Sequence, residues 1–329
     1  MIDKTEAQIM ATWQGDPAKP LLSVRSLTYN HVRYLSQALD GILMQVTDFP
    51  FEVIVHDDAS TDGTTDLLRE YVQKYPNIIV PIIQTENQYS KRDGSIRRAI
   101  DPKLRGKYIA LCEGDDYWTD EHKLQRQVHF LEEHPGYTMC VHAVNYVQDG
   151  KVLRNDRISE TARDLSTAEI IEGGGMFCAT ASICGLTAVF TEYPEWRRKA
   201  SVGDYPLQIL MAVRGRVHCM PEIMGCYRVM SAGSWSQTQQ DVSVSNKRRL
   251  NEIAWLKLLD EDTGKQYHDS IARKIAKYAP LLFRTGAVGF REAAGYVSAM
   301  PAGTEKLRYY ISLLRRWPEN RRLRKKQNV

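Results

Sequence analysis

The sequence predicts an α/β protein built around a doubly wound, mostly parallel sheet. Between Leu21 and Glu133, short apolar runs of strand length alternate with segments whose apolar residues repeat at helical spacing. Three of the apolar runs end abruptly in polar or acidic residues. Because the carboxyl ends of parallel strands form the edge at which open α/β sheets bind ligands, this pattern predicts a binding site at that edge.

Each expected element follows from the spacing of apolar residues and from the turn residues around it. We expect strands at 21–27, 51–55, 78–83, 108–112, 137–147, 181–190 and 217–223. We expect helices at 32–46, 65–74, 96–100, 121–133, 167–172 and 204–214. From about 240 to 316 the pattern is helical, with interruptions at Gly264, Pro280 and Pro301.

This order of elements suggests three segments. Residues 1–20 are expected to form a loose leader, residues 21–238 the sheet domain, and residues 239–329 a helical extension that ends in a basic tail. A chain of 329 residues is long enough for one large domain with such an appendage.

The charge of the chain is unevenly distributed. The net charge is +4, but residues 305–329 hold nine Lys and Arg against two Glu, which gives +7 and leaves 4 − 7 = −3 for residues 1–304. The basicity is therefore a property of the tail. It indicates a local anionic partner and argues against a body that binds nucleic acid.

Two interpretations of that tail stay open. Leu307, Tyr310, Ile311 and Leu314 form an apolar stripe at helical spacing beside several arginines. The stripe fits an interfacial helix on an anionic membrane, which would bring the protein to a lipid-linked acceptor. It also fits a C-terminal helix packed on the body with a solvated basic end.

The six cysteines favour a reducing compartment. They form no Cys-x-x-Cys pair, and most have apolar neighbours, which predicts buried reduced thiols. The N-terminal residues lack the order of a signal peptide, and the longest uncharged run, 173–190, contains too many glycines and hydroxyls for a membrane span. We expect a cytoplasmic location, either free or at the inner face of the membrane.

The most informative stretch is KYIALCEGDDYW at 107–118. An apolar run ends in Glu113, Asp115 and Asp116, three carboxylates within four positions. Such carboxylates repel one another unless a cation or hydrogen-bond donors offset their charge. The stretch alone leaves two interpretations open: a divalent-metal site, or a solvated acidic turn that caps the next helix.

A second carboxylate cluster, HDDASTDGT at 56–64, follows another predicted strand. Its spacing imitates the start of a calcium loop, but position twelve is Arg69 instead of a bidentate glutamate and no helix precedes it. Ser60 or Asp62 can cap the next helix, which leaves Asp57 and Asp58 unexplained. Paired carboxylates at a strand end can accept hydrogen bonds from a nucleobase or a ribose.

Three motifs together resemble the family 2 glycosyltransferases of the GT-A fold: LTYNH at 27–31, HDDASTDGT at 56–64 and EGDDYW at 113–118. Their order and spacing match the nucleotide-sugar-binding half of that fold. The resemblance is close over residues 21–147 and traceable to about 236. It implies a Rossmann-like, mostly parallel sheet flanked by helices, followed by a helical C-terminal extension.

The resemblance also implies roles for the residues of these motifs. Thr28 and Tyr29 would line the nucleobase pocket, Asp58 would hydrogen-bond the base, and Asp57 belongs to the same donor site.

At the family's DxD position, Asp115 would bind the Mn²⁺ or Mg²⁺ that bridges the donor diphosphate. Glu113 replaces the first Asp of that motif and is expected to contact ribose or metal-bound water. Asp116 would organise the site.

Downstream, the resemblance implies a general base and a loop over the donor. Asp204, in VGDYPL, stands where the family has the base that deprotonates the acceptor, and we assign it that role. The alternative is that it only caps the helix that begins there. In the loop CYRVMSAGSWS at 226–236, Arg228 would bind the diphosphate, and Trp235 would cover the donor or stack on a sugar. The alternative for Trp235 is packing against the sheet. Met230 stands where the family often has His, so metal coordination is not expected there.

The resemblance implies a metal-dependent, inverting transfer of a sugar from a UDP- or dTDP-sugar to a saccharide hydroxyl, in bacterial surface polysaccharide or glycan assembly. The expected partners are the nucleotide-sugar donor and a saccharide or lipid-linked saccharide acceptor. A sugar-nucleotide nucleotidyltransferase would need a Gly-rich basic loop after the first strand, and TYNHVRYL contains none. The remaining alternative is a nucleotide-sugar- or saccharide-binding module without catalysis.

Overall fold

The computed structural model describes residues 2–229 and 241–327, with side chains described as far as residue 320. These residues form two compact units that alternate along the chain. The first unit comprises the described residues within Met1–Leu165, Phe177–Glu192 and Leu210–Ser231. The second comprises those within Ser166–Met176, Tyr193–Ile209 and Ala232–Val329. The expected boundaries at 21 and 238 stay a prediction.

All strands of the described residues belong to one sheet in the first unit. They are β1 (Leu22–Thr28), β2 (Phe51–Asp57), β3 (Ile79–Ile83), β4 (Tyr108–Leu111), β5 (Tyr117–Trp118), β6 (Tyr137–Gln148), β7 (Lys151–Asp156), β8 (Arg163–Leu165), β9 (Cys184–Leu186) and β10 (Arg216–Arg228).

The helices before the C-terminal region are α1 (Glu6–Met10), α2 (Leu35–Leu43), α3 (Thr64–Lys74), α4 (Ser95–Ile100), α5 (Lys123–Glu133), α6 (Thr167–Gly173), α7 (Thr187–Phe190), α8 (Glu195–Lys199) and α9 (Asp204–Arg214). The C-terminal region adds α10 (Val242–Asp262), α11 (His268–Arg284), α12 (Phe290–Ser298) and α13 (Thr304–Gln327). Within the described ranges, no helix is both long and apolar enough to cross a membrane.

The sheet has the strand order β3-β2-β1-β4-β9-β6-β10-β5, with β7 added beside β6 and β8 beside β10. β1 pairs in parallel with both β2 and β4, β2 with β3, and β6 with β10. β9 runs antiparallel between β4 and β6. The predicted α/β class and its mostly parallel sheet are therefore confirmed.

The core follows from the apolar patterns that predicted it. β2 is buried along its whole length, and the carboxylate of its one glutamate, Glu52, is paired with Arg105. α2, α3 and α5 each bury one apolar face against the sheet; Leu39, Leu68 and Leu124 are fully buried members of the resulting cluster. This packing fixes the carboxyl ends of β1, β2 and β4 along one edge of the sheet.

The expectation of a loose leader at 1–20 is wrong for part of that segment. Thr5 and Gln8 form a reciprocal capping box at the start of α1, and Ile9 is buried in the core of the first unit. The Glu6 carboxylate accepts hydrogen bonds from the backbone N–H groups of Asn77 and Ile78. The sequence did not reveal this docking because α1 is too short to show helical periodicity.

The expected strand at 181–190 is also wrong over most of its length. Only Cys184–Leu186 pairs with neighbouring strands, and Thr187–Phe190 turns into a short helix. At Gly185, a Cβ atom would lie 2.6 Å from the Thr138 carbonyl oxygen, so only glycine allows the strands to approach this closely. An uncharged apolar run does not distinguish a short strand plus a helix from one long strand.

Two further boundaries differ in the second half of the chain. β10 continues beyond the expected end at 223 to Arg228, because it pairs with β6 on one side and β5 on the other. Pro280 lies inside α11 instead of interrupting it. The buried side chains Leu282 and Phe283 keep the last turn of that helix packed despite the hydrogen bond that proline removes.

Candidate active site

The three predicted motifs meet at one edge of the sheet in the first unit. In the parallel pair of β1 and β2, Thr28 lies beside Asp57. β4 pairs with β1 on the other side, with Arg25 beside Leu111, so that Glu113 follows at the same edge. The backbone N–H of Gly114 donates to the Leu27 carbonyl at 2.8 Å, which ties the acidic turn to the end of β1.

Within the acidic turn, Glu113 is held by an ion pair. The Arg25 guanidinium donates to its Oε1 at 2.6 Å, and the backbone N–H of Leu27 donates to its Oε2 at 3.2 Å. Burial and the nearby charge of Asp115 raise the pKa of Glu113, while Arg25 opposes that rise. Both oxygens of Glu113 therefore already have protein donors.

Sequence reasoning missed Arg25. A signal was available, because an arginine within a predicted buried strand needs a partner of opposite charge. The sequence did not indicate which carboxylate would be that partner.

Asp116 is buried and organises the turn from inside. Its carboxylate accepts the backbone N–H of Arg228 at 2.8 Å. Burial, together with the neighbouring Asp115 charge, raises the pKa of Asp116 well above its ordinary value. Asp115 itself is half-buried between these two carboxylates along the chain.

Arg228 lies against the acidic turn. Its guanidinium donates to the Asp115 backbone carbonyl and to the Gln37 side chain. The same group lies 4.9 Å from the ring centroid of Tyr34 and 4.6 Å from that of Tyr117. Tyr34 and Gln37 are two more residues that the sequence did not single out. Arg228 thus supplies a positive charge at this edge.

Gly114 allows Thr28 and His31 to approach the turn closely. A Cβ atom at position 114 would lie 2.8 Å from both Cβ and Oγ1 of Thr28 and 3.0 Å from Nδ1 of His31. Thr28 Oγ1 and His31 Nδ1 are buried and have no hydrogen-bond partner among the described residues. Buried polar atoms without partners are unusual, and at a sheet edge they are typical of a ligand site.

The two aspartates of the second motif have different environments. The Asp57 carboxylate accepts the backbone N–H and the hydroxyl of Ser60 and the hydroxyl of Thr65, the two hydroxyls at 2.5 Å. Asp58 accepts the backbone N–H of Gln88 at 2.7 Å and that of Tyr89 at 2.9 Å. Asp57 thus orders its own loop, whereas Asp58 orders the segment that follows β3.

The rest of the second motif connects the loop after β1 with the loop after β2. The Ser60 hydroxyl accepts the backbone N–H of Asn30, and the Asn30 side chain accepts the backbone N–H of Thr61. Asp62 accepts from the backbone N–H of Val32, while Gly63, with φ of 101°, is the N-cap residue immediately before α3. Although burial opposes the shift, these and further hydrogen bonds lower the pKa of Asp62.

That connection between the loops leaves Tyr29 at the surface, with 46% of its side chain exposed. Its aromatic face is therefore available to a planar ligand.

Asp204 begins α9 in the second unit. It is half-buried, and its Oδ1 accepts the backbone N–H of Tyr205 at 2.8 Å. Burial raises the pKa of Asp204, and the Glu252 charge adds to the rise while Arg248 opposes it. A capping side chain accepts an N–H two or three residues further on, whereas this bond goes to the adjacent residue. The capping and general-base interpretations both stay predictions.

Around Asp204 the second unit holds a buried charge network. Glu252 lies 3.3 Å from Arg248 and 3.7 Å from Lys274, and it accepts the Tyr278 hydroxyl. The ammonium of Lys274 also lies 5.1 Å from the ring centroid of Tyr205. Glu252 and Arg248 of α10 are therefore the charged groups that act on the pKa of Asp204.

Two predicted positions lie outside the described residues, namely Met230 and Trp235. Within the described part of the chain, no three His, Cys, Asp or Glu side chains converge so that they could hold a metal ion by themselves. The roles predicted for the site residues stay predictions.

Comparisons with known proteins agree with this geometry. The family described as Glycosyl transferase family 2 matches residues 23–187, just over half of the chain. An uncharacterized protein of Mycobacterium tuberculosis is 35% identical over 230 residues, and the match covers 67% of this chain but 62% of that protein. The chain thus spans less than two thirds of the mycobacterial relative.

Two further relatives are named glycosyltransferases. An uncharacterized glycosyltransferase of Nostoc is 28% identical over 70% of this chain and 73% of its own length. The candidate teichuronic acid biosynthesis glycosyltransferase TuaG of Bacillus subtilis is 26% identical over 68% of this chain and 86% of its own length.

Among solved structures, S. aureus TarS in complex with UDP-GlcNAc aligns with a TM-score of 0.57 and 18% identity, over 93% of this chain and 91% of that one. This likeness concerns the fold. Together with the family match, it confirms the resemblance that the three motifs indicated: the chain carries a glycosyltransferase domain of family 2 with the GT-A fold.

Proposed function

We propose that this protein transfers a sugar from a UDP- or dTDP-sugar to a saccharide hydroxyl, with inversion, during assembly of a bacterial surface polysaccharide or glycan. Family membership supports the reaction class. The observation that carries the proposal is the acidic turn at the edge of the sheet. There the Asp115 backbone carbonyl accepts from Arg228, and Thr28 Oγ1 and His31 Nδ1 are buried without a partner among the described residues.

The donor set of the acidic turn fits a divalent cation that takes few ligands from the protein. Asp115 stands at the DxD position of the family, so it is the carboxylate we assign to Mn²⁺ or Mg²⁺. The donor diphosphate and water would complete the coordination. When bound, such a cation offsets negative charge that develops on the departing nucleoside diphosphate.

Residues at the carboxyl ends of β1 and β2 would hold the nucleoside. The exposed ring of Tyr29 offers a stacking face for the base, and Thr28 offers a buried hydroxyl. Asp58 accepts two backbone N–H groups and keeps lone pairs that can accept from the base. TarS, which shares the fold, has been solved with UDP-GlcNAc, which supports a uridine donor.

The positively charged Arg228 would orient the diphosphate. The Arg228 guanidinium contacts the rings of Tyr34 and Tyr117 and donates to the acidic turn, so that little side-chain entropy is lost when it binds phosphate.

Asp204 would remove the proton of the attacking hydroxyl. A carboxylate with a raised pKa is a stronger base than an ordinary aspartate, because its charged form is less stabilised by its surroundings. The acceptor oxygen then attacks the anomeric carbon as the bond to the nucleoside diphosphate breaks, which inverts the configuration.

The names of relatives support an acceptor in polysaccharide assembly. TuaG is named for teichuronic acid biosynthesis. An E. coli relative that is 31% identical over 34% of this chain is named a glucosyltransferase that acts on a diphosphoundecaprenol-linked sugar. A saccharide, free or linked to such a lipid, is therefore the acceptor class we propose.

A thermal-shift screen of nucleotide sugars with and without Mn²⁺ tests the donor, because a ligand that binds only the folded state raises the melting temperature. We expect a shift with a UDP- or dTDP-sugar that depends on the metal and that Asp115→Ala abolishes. Asp66→Ala, an exposed change on α3, is the matched control.

Hydrolysis or transfer of the donor that is found then tests catalysis. Asp204→Asn should keep donor binding and lose transfer. Transfer at the wild-type rate by this variant contradicts the assignment of the base. Donor binding without turnover in a broad acceptor screen would instead favour the binding module.

A further inference from the structure

Helix α13 in the second unit has apolar residues on two opposite sides. Leu313 is fully buried, and the Asn320 side chain donates to the Val288 carbonyl at 3.3 Å, so this side packs on the unit. Leu307, Ile311 and Leu314 remain 60%, 39% and 57% exposed. At 100° per residue these three positions lie within about 60° of one another and more than about 80° from Leu313.

We call these three residues, with Trp317 at their edge, the exposed apolar face. Trp317 is 42% exposed while its ring packs on Phe290 with centroids 4.0 Å apart. Isolated exposed apolar residues are common on protein surfaces. The exposed apolar face is different, because its residues are aligned along one side of a helix whose other side already packs on the unit, so they do not contribute to the core.

Positive charge borders the exposed apolar face. Arg308 and Arg315 are exposed one position after Leu307 and Leu314, on the flank opposite Trp317. Residues 305–329 carry nine Lys and Arg and two Glu, a net charge of +7, whereas the rest of the chain sums to −3. An apolar face flanked by arginines complements a surface that offers acyl chains beneath negatively charged headgroups.

We propose that the exposed apolar face of α13 docks on an anionic lipid bilayer, with the helix lying in the plane of the headgroups. Leu307, Ile311 and Leu314 would enter the acyl boundary, while Arg308 and Arg315 bind lipid phosphates. A second copy of the chain fits this face less well, because a symmetric contact would bring two segments of charge +7 together.

Vesicle cosedimentation of the full-length chain tests the proposal. We expect binding to equimolar phosphatidylcholine and phosphatidylglycerol, little binding to phosphatidylcholine alone, and weaker binding as the salt concentration rises. Absence of binding to the anionic vesicles, or equal binding to both kinds, overturns the proposal.

Two double variants separate the apolar and the electrostatic contributions. Leu307→Gln with Leu314→Gln should weaken binding about 100-fold, at about tenfold per leucine. Arg308→Gln with Arg315→Gln should weaken it about 30-fold, from about 1 kcal/mol for each arginine near an anionic surface. The matched control is Val242→Gln with Val244→Gln, which changes two exposed apolar residues of α10 in the same unit and should bind as wild type.

Wild-type binding by the leucine variant would show that the basic tail binds without the exposed apolar face, and the proposal would be wrong. A concentration-dependent dimer that the leucine variant abolishes, without vesicle binding, would assign the face to a second copy. Vesicle binding is measured without donor or acceptor, so an absence of binding would not contradict the proposed sugar transfer. Equally, an absence of sugar transfer would not contradict the proposed membrane docking.

Discussion

At the scale of single residues, Asp204 combines a raised pKa with a proposed catalytic role. The folded state holds its proton more tightly than the unfolded state, whose carboxyl titrates near 3.8. The free energy of unfolding therefore falls as the pH rises from 3.8 through the folded-state pKa. At pH values above the folded-state pKa, the buried carboxylate is charged and its full destabilising effect is present. Asp204→Asn removes that charge and keeps an oxygen to accept the Tyr205 N–H.

We expect Asp204→Asn to raise the free energy of unfolding at neutral pH by about 0.5–2 kcal/mol, as substitutions that relieve active-site strain commonly do. Denaturant unfolding at several pH values measures this, and the advantage should disappear below pH 3.8. Asp269→Asn, an exposed change in the first turn of α11, is the control and should be neutral or slightly destabilising. A variant that is less stable than wild type at neutral pH would assign Asp204 a structural role only.

The close contact between Gly114 and Thr28 predicts that a larger residue at position 114 disturbs the acidic turn. In Gly114→Ala the new methyl group would meet Cβ and Oγ1 of Thr28 at 2.8 Å, so the acidic turn must shift. We expect a loss of about 1–3 kcal/mol in stability, which is typical of overpacking, and loss of donor binding in the thermal-shift assay. Gly295→Ala within α12 meets no atom within 4 Å and should stabilise by about 0.5–1 kcal/mol.

Unchanged donor affinity in Gly114→Ala would mean that the donor does not contact this turn.

How far the site could be predicted depends on the kind of residue. Thr28, Asp57 and Glu113 come to one edge because parallel strands must bring their carboxyl ends together, and the sequence contains that information. The different environments of Asp57 and Asp58 were not predictable. They depend on Ser60 and Thr65 in one case and on the segment after β3 in the other, and loop geometry has no periodic signal.

At the scale of elements, α5 contains an unusual buried cation. Lys123 is fully buried, its Nζ has no hydrogen-bond partner among the described residues, and it lies 3.7 Å from the centroid of the Trp118 ring. Burial lowers the pKa of Lys123 to about 8. The cation–π contact offsets only part of the cost of burying an ammonium group, so Lys123 reduces the stability gained when α5 packs against the sheet.

Lys123→Met should therefore stabilise the protein at pH 7 by about 1–3 kcal/mol, since methionine fills a similar volume without a charge. Above pH 8 the folded wild type loses this proton before the unfolded chain does, so wild-type stability rises and the difference between the two proteins narrows. Lys107→Met, at a 55% exposed lysine paired with Glu132, should instead cost up to about 1 kcal/mol. Chemical denaturation at pH 7 and at pH 9.5 distinguishes these outcomes; a destabilised Lys123→Met would mean that the cation is needed.

The elements that were predicted well share one property. Helix α9 has the expected bounds, and the first strands differ by one or two residues, because each has a full apolar pattern between clear turn residues. The segment at 181–190 failed because its strand is only three residues long, and its pairing depends on the close approach that Gly185 allows. Pairing with a distant strand, which no local pattern records, decides such short elements.

At the scale of the whole molecule, the cysteines distinguish the two units. All six are free and buried, as the composition predicted, and all six belong to the first unit. Burial raises the pKa of Cys112, Cys140 and Cys184, so that native thiols are both inaccessible and protonated. Thiol labelling therefore reports the opening of the first unit, which contains the sheet, and does not report the opening of the second unit.

We expect Ellman's reagent to label the native protein slowly and all six thiols rapidly in denaturant. When opening is fast compared with labelling, the rate follows the population of the open form. A donor at a hundred times its dissociation constant should then slow native labelling about 100-fold, because it binds only the folded state. The protection should require Mn²⁺ and disappear in Asp115→Ala, whereas Asp66→Ala should keep it. Labelling that the donor does not slow, although the thermal shift detects binding, would place the donor away from the sheet unit.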